Sequence, residues 1–266
     1  MNRIGELPMV TRNRAGNFLS SKAILGKDVL LEGFNSVLGK SEIGSNCLVG
    51  FGTIIGYPAR ENMKKLLRNA NPSLESFDIS YYDRVSSGSK IGFNCVIRGR
   101  AYIYESSFLG NNVETGHNIM IRENARIGNE TRIGTNTVLD SSLETNSVGI
   151  VIGDRVSIQT GVYIPAPAVI GNGVFIGPNV VFTNDRYPPS TERSQIIVKD
   201  EAAIGANSTV IAGVEVGANS MIAAGSVVTR DVPENDVVKG NPAKHYMTID
   251  EYRKRRVEYS RPRAAV

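Results

Sequence analysis

The stretch 150–188, IVIGDRVSIQTGVYIPAPAVIGNGVFIGPNVVFTNDRYP, decides the fold. Ile152, Ile158, Ile164, Ile170, Ile176 and Phe182 recur every six residues, and a small or β-branched residue stands two places before each: Ile150, Val156, Val162, Ala168, Val174 and Val180. A period of six matches neither a helix nor a strand with one face inward. It fits a chain that runs straight for about four residues and then turns a corner, so that three sides close a coil of about 18. The aliphatic residue fills the axis, and the residue two before it crowds the corner and must be small. Gly or another turn-tolerant residue follows. The run stops in Thr183-Asn184-Asp185-Arg186-Tyr187-Pro188, a polar and aromatic loop in which chemistry is expected.

The same phase extends over most of the chain. Leu25, Leu31, Val37, Ile43, Val49 and Ile55 keep it, and it resumes from Ile91 to Leu139, with Thr115 the one non-aliphatic member, and again from Val198 to Val228. The intact hexads amount to roughly nine coils, a column about 40 Å long at strand spacing. Cys47 and Cys95 occupy small inward positions and read as buried core thiols, not as a motif. Three stretches leave the repeat: an insertion at 57–88, a polar run at 140–149 and the loop 183–197. From Leu139 to Ile152 is thirteen residues, which reads as two hexads plus one residue and leaves the face count open. In the insertion, Met63, Leu66 and Leu67 predict a short amphipathic helix over Arg60–Asn69, ended by Asn71-Pro72. The following SLESFDISYYDRV reads as a strand-like flap or an arm on a neighbour. Thr248 and Glu251 have capping-box spacing and open a helix over 248–259. The organisation is therefore an all-β domain over 1–245 with a helical tail over 246–266.

The chain has 266 residues, 41% of them apolar, with 27 Gly, no Trp and a net charge of +4. That weak basic balance suits anionic small molecules and does not argue for nucleic acid. The basic residues Arg253, Lys254, Arg255, Arg256, Arg261 and Arg263 lack interleaved aromatic residues and read as a solvated helix face or a subunit contact. No apolar run approaches the length of a membrane span. The N-terminal MNRIGELPMVTRNRAGNF lacks the apolar core of a signal peptide, so the expected place is the cytoplasm. His117 and His245 are the only histidines, which disfavours a three-histidine zinc site; no metal is expected.

Over about 23–245 the hexads resemble the hexapeptide-repeat acyltransferases, and that resemblance implies a left-handed parallel β-helix, a homotrimer and acetyl-CoA as co-substrate. The loop FTNDRYP with the preceding IGPNVVF, and TGHNIMIRENARIG at 115–128, are similar to segments of the nucleotide-linked amino-sugar N-acetyltransferases, which act on dTDP- or UDP-linked amino sugars. AAGSVVTRDVPENDVVKGNPAK at 223–244 resembles the wider family's end-of-helix signature. Relatives that acetylate hydroxyls carry a histidine just before the loop proline, where this chain has Tyr187. A hydroxyl acceptor needs a positioned base, whereas an amine arrives partly deprotonated. N-acylation of a nucleotide-linked amino sugar, for polysaccharide synthesis, is therefore the expected activity. The alternatives are O-acetylation of a sugar or small-molecule hydroxyl and a non-catalytic β-helical scaffold.

Outward positions carry the side chains that can meet a ligand. His117 and Asn118, which follow Thr115, are the catalytic candidates: His117 to accept the amine proton, Asn118 to orient the acceptor. Glu123, Asn184, Asp185 and Tyr187 are the candidates for binding it. Gly225 in AAGS offers close backbone approach to pantetheine, while Arg230, Lys239 and Lys244 are candidates for the phosphates of CoA.

Overall fold

The computed structural model describes residues 15–69, 78–141, 149–190 and 192–259. The N-terminal segment, Asn71-Pro72, the middle of the 140–149 run, and Arg261 and Arg263 lie outside them.

Short strands, mostly of two residues, alternate with corners and stack into three sheets of ten, nine and eleven strands, parallel throughout except for the hairpin that ends the third. Each strand pairs with the third strand on from it, so Phe18–Leu19 lies beside Ser36–Val37 and Ile24–Leu25 beside Glu42–Ile43. This is the left-handed parallel β-helix, with three flat faces and three edges. We call face I the sheet that starts at Phe18–Leu19, face II the one that starts at Ile24–Leu25, and face III the one that starts at Leu30–Leu31. Ten strands at ordinary spacing make a column about 43 Å long.

The six-residue period sets the core. The axial apolar residues Ile55, Ile103, Leu109, Ile121, Leu139, Ile164 and Phe182 are fully buried. Burying each contributes about 1.5–3 kcal/mol. Thr115, the break in the series, is buried too, and its hydroxyl accepts the Arg98 N–H at 3.1 Å. Cys47 and Cys95 are free and buried, and the Cys47 Sγ meets the Gly92 carbonyl at 3.1 Å. Asparagine dominates the left-handed corners: Asn46, Asn94 and Asn112 all have φ near +57° and hydrogen-bond to one another down one edge, Nδ2 to Oδ1, at 3.2 Å. Asn tolerates this backbone, and its side-chain amide lets it bond the same residue one coil along.

All three departures from the repeat leave face I and return on face II. The insertion runs from Ile54–Tyr57 to Lys90–Ile91, the polar run from Val138–Leu139 to Ile150–Ile152, and the loop from Val181–Phe182 to Ile196–Val198. They share the I–II edge. The thirteen-residue step is thus a single enlarged corner, not two hexads plus one residue: Arg126 lies beside Val151 on face II. The insertion holds two helices, α1 (Arg60–Asn69) and α2 (Ile79–Val85). Where a flap or arm was expected, Asp78 caps α2 by accepting the Ser80 N–H at 2.8 Å, and the Tyr82 ring packs on Tyr57 at 5.3 Å. At the C-terminal end, face III continues through Asp236–Gly240, which turns back in an antiparallel hairpin to Ala243–Thr248. The helix α3 (Ile249–Tyr259) follows, opened by the expected capping box: Thr248 N–H to Glu251 Oε2 at 2.8 Å and Glu251 N–H to Thr248 Oγ1 at 3.3 Å.

Candidate functional site

Edge geometry sorts the residues singled out from sequence. His117, Asn118 and Gly225 lie on the III–I edge. Glu123, Asn184, Asp185, Tyr187 and Arg230 lie on the I–II edge, across face I from them. Lys239 and Lys244 face each other in the terminal hairpin. A single copy of the chain therefore does not bring His117 to Asn184 and Asp185; the width of face I and three coils separate them.

The III–I edge is made of tight corners, with the exposed rings of Phe34 and Phe51 packed together on it at 5.3 Å. Asn118 has φ +55°, and its Nδ2 meets the Asn136 Oδ1 at 3.3 Å, so it is a rung of a corner ladder. His117 is exposed; its N–H donates to Thr135 Oγ1 at 3.2 Å, and its carbonyl accepts the Asn136 N–H at 3.0 Å. Gly225 has φ +71° and open space where a Cβ would point, which allows close backbone approach.

The I–II edge carries a connected polar and aromatic stripe. Tyr104, Arg122 and Asp140 each follow an axial aliphatic of face I, and they stack coil upon coil. The Arg122 guanidinium forks onto Glu123 (Nε to Oε2 2.9 Å, Nη2 to Oε1 3.1 Å) and reaches Asp140 Oδ1 with Nη1 at 3.2 Å. It lies 4.7 Å over the Tyr104 ring. Ser141 Oγ donates to Glu123 at 2.9 Å, and the Tyr163 hydroxyl donates to Asp140 Oδ2 at 2.9 Å. The side chains of Arg122 and Glu123 are only 21% and 13% exposed. One cation thus serves two carboxylates, and the cluster bears an excess negative charge. Burial works against the charge on Arg122, but Glu123, Tyr104 and Asp140 together outweigh it and hold the guanidinium above its ordinary range. The Tyr163 phenol is pushed up to about 12, by burial first and then by Asp140.

On the N-terminal side of the stripe, Tyr57 sits among Tyr82, Tyr102 and Tyr104, with ring centroids at 5.3, 5.9 and 4.9 Å. Its phenol is likewise raised to about 12, chiefly by burial and then by Tyr82. Beneath it, Glu105 is 3% exposed. Its carboxylate accepts the Ala59 N–H and the Ser87 N–H, both at 2.6 Å, and the Asn62 amide at 2.8 Å, tying both ends of the insertion to the column.

On the C-terminal side stands the 183–197 loop. Asp185 organises it from within: Oδ1 accepts the Tyr187 N–H at 3.0 Å and the Ser190 hydroxyl at 2.9 Å, and Oδ2 accepts the Ser190 N–H at 2.7 Å, with Arg193 at 3.5 Å. The Ser190 N–H foremost holds this carboxyl below its ordinary range, with burial opposing and the Ser190 hydroxyl, the Tyr187 N–H and Arg193 assisting. Arg186 pins the loop to later coils through the carbonyls of Ala212 at 3.1 Å and Thr229 at 3.0 Å. Asn184 Nδ2 donates to the Ala166 carbonyl at 3.2 Å. Tyr187 projects free, 80% exposed. Arg230 is exposed on the same edge, and Lys239 rests its Nζ 3.3 Å over the Tyr246 ring. Among the described residues no group of three His, Cys, Asp or Glu side chains could hold a metal.

Tyr104, Glu105, Arg122, Asp140, Tyr163 and Arg186 were not singled out from sequence. Tyr104, Arg122 and Asp140 are separated by one coil of 18 each, so reading outward positions coil by coil would have stacked them.

Comparison with known proteins agrees with the repeat. Residues 149–184 match the bacterial transferase hexapeptide family (six repeats), and residues 124–166 and 195–230 match the hexapeptide repeat of succinyl-transferase. The chain carries the repeat of the hexapeptide-repeat acyltransferases. It is 41% identical over 85 residues to the 2,3,4,5-tetrahydropyridine-2,6-dicarboxylate N-acetyltransferase of Clostridium perfringens, covering 32% of this chain and 35% of that one. It is 39% identical over 108 residues to serine acetyltransferase 2 of Arabidopsis thaliana, covering 38% and 31%. The chain thus spans about a third of the length of these relatives. The UDP-N-acetylglucosamine acyltransferase of Campylobacter jejuni shares the fold across 92% of this chain and 77% of its own, with a TM-score of 0.56 at 18% identity.

Proposed function

We propose that the protein is an acetyl-CoA-dependent N-acetyltransferase that acylates the amino group of a nucleotide-linked amino sugar. The observation that carries this reading is the I–II edge stripe, where Arg122 is outnumbered by Glu123 and Asp140 between aromatic walls. Excess negative charge attracts an ammonium group, and tyrosine rings suit a sugar face. The amine gives up its proton and attacks the thioester carbonyl; the N–C bond forms, the C–S bond breaks, and CoA leaves as the thiol once its sulfur is protonated. A backbone N–H is the most economical donor to the oxyanion.

The proton acceptor is His117 of a neighbouring copy. In a threefold assembly with face I turned to the axis, the I–II edge of one copy meets the III–I edge of the next. Every candidate outside the terminal hairpin then falls along one seam. The composition of face I supports this arrangement: its outward strand residues, among them Tyr102, Met120, Val138, Tyr163, Val181 and Val227, include no charged one, whereas face II intersperses Glu42, Lys90, Arg126 and Glu215 with Ile24, Phe108, Val151, Val169 and Ile197. Gly225, Arg230, Lys239 and Lys244 lie at the C-terminal end of that seam, where CoA would bind. No helix among the described residues is long and apolar enough to cross a membrane.

The similarity to a serine acetyltransferase favours a second reading, transfer to a hydroxyl. One screen separates the two: free-thiol release from acetyl-CoA with dTDP- and UDP-amino sugars and with their hydroxyl analogues. Turnover confined to the amino sugars is expected; turnover confined to hydroxyls overturns the proposal.

A further inference from the structure

On the face II side of the same edge, beneath the insertion, lies a hollow of about 270 Å³. Three cations ring it: Lys40, Lys90 and Arg126. Lys90 pairs with Glu42 at 2.9 Å; Lys40 and Arg126 have no carboxylate partner among the described residues, and no carboxylate lines the hollow. Its net charge is therefore positive, opposite in sign to the Arg122 cluster on the other side of the edge.

The wall is rigid. Ser87 is fixed from below by the buried Glu105, which takes its N–H at 2.6 Å. Gly88 has φ +81°, and a Cβ there would run into the backbone of Lys40 and Ser41, so the two segments touch. The Ser106 N–H donates to the Gly88 carbonyl at 2.7 Å, in a left-handed conformation with φ +61°. Ser89 and Ser107 donate their hydroxyls to the carbonyls of Tyr104 and Arg122, whereas Ser87 and Ser106, whose hydroxyls have no protein partner among the described residues, line the hollow. Phe108 lies in register between Lys90 and Arg126 on face II and is 43% exposed. Cations and hydroxyls on a fixed frame suit phosphate oxygens, and an aromatic ring between two cations suits a flat heterocycle.

We propose that this hollow binds the nucleoside diphosphate part of the acceptor, with Lys40, Arg126, Ser87 and Ser106 holding the phosphates and Phe108 stacking on the base. That the nucleotide belongs to the acceptor rests on the proposed function; the chemistry of the hollow does not. CoA carries the same chemistry, so calorimetric titrations of the full chain with UDP, inorganic pyrophosphate and CoA distinguish the sources.

Arg126→Gln is expected to weaken UDP and pyrophosphate at least tenfold, and Phe108→Ala to weaken UDP about fivefold while sparing pyrophosphate. CoA binding is expected to be unchanged in both. All these side chains are exposed, so urea midpoints matching the parent protein confirm that the variants fold. UDP affinity that is identical in parent and variants, UDP that does not bind the parent, or a response of CoA in place of UDP each overturns the proposal. If the variants lose UDP as expected and no nucleotide-linked amino sugar is acetylated, the site stands and the proposed acceptor falls.

Discussion

The I–II and III–I edges are built from the same six-residue repeat and flank the same face, yet they differ in almost every other respect. The III–I edge is a run of tight corners without inserted chain, with the Asn118–Asn136 rung on it and the exposed Phe34–Phe51 pair toward its N-terminal end. The I–II edge carries all three excursions, a buried carboxylate under the insertion, and an arginine shared by two acids. A corner in this fold is the place where chain can be added without disturbing the stacked sides, because strand pairing resumes one coil later. Concentrating additions on one edge makes a wall there and leaves the other edge of the same face free of inserted chain.

The largest expected effect tests whether the two edges meet between copies. His117→Asn and Asp185→Asn should each lower turnover about 100-fold, the first by removing the proposed base and the second by loosening the loop that Asp185 holds together. Co-expressed, the two variants should recover about a quarter of the parent activity, because some seams then combine an intact His117 with an intact loop. Mixed assemblies no more active than either variant alone would place the two edges in separate functions.

Arg122→Ala should be the next largest. It leaves Glu123 and Asp140 facing each other without their cation, at a cost of about 2–3 kcal/mol in urea unfolding. Asn118→Gly on the opposite edge keeps the left-handed corner and loses one exposed hydrogen bond, so it should stay within about 0.5 kcal/mol. Equal effects would mean that the stripe is no better connected than a bare ladder. Glu105→Ala, which strands three donors at the base of the insertion, is expected to cost about 2 kcal/mol and to speed amide exchange at Ala59 and Ser87. Unchanged exchange there would show that the insertion is held by its aromatic packing instead.

The period of six made the architecture legible, because burial of an aliphatic at each axial position overrides every local propensity. Helix α1 was legible from Met63, Leu66 and Leu67. Helix α2 was not: its stability comes from the Asp78 cap and from Tyr82 on Tyr57, neither of which has a periodic signature. The candidate site was hidden by one ambiguity. Taking Leu139 to Ile152 as two hexads plus one puts Ile152 on face III and the 183–197 loop on the II–III edge; the enlarged corner puts Ile152 on face II and the loop on the I–II edge. Until that step is resolved, Tyr163 cannot be aligned with Asp140, nor the loop with Arg122. Asn118 carries a second signal that the sequence does not separate from the first: an outward asparagine offers a side chain, but at φ +55° it also suits the left-handed corner.

The smallest expected effect concerns alkaline stability, and it too separates the edges. Tyr57 and Tyr163 on the I–II side have folded-state pKa values of about 12, above the ordinary 10 of a tyrosine. In the unfolded chain these phenols deprotonate first, so between pH about 10 and about 12 the unfolded state binds fewer protons than the folded one and stability must fall as pH rises. Their contribution is fully present below pH about 10 and is lost as pH climbs through the folded values. Both rings remain partly accessible to solvent, so the slope should be shallow. Tyr163→Phe removes the Asp140 hydrogen bond but also removes one titrating group, and the Tyr57→Phe, Tyr163→Phe double variant should unfold in urea with a flatter pH dependence across that window than the parent. An unchanged slope would mean that these phenols ionise alike in both states, and that the Asp140 hydrogen bond does not hold the Tyr163 proton.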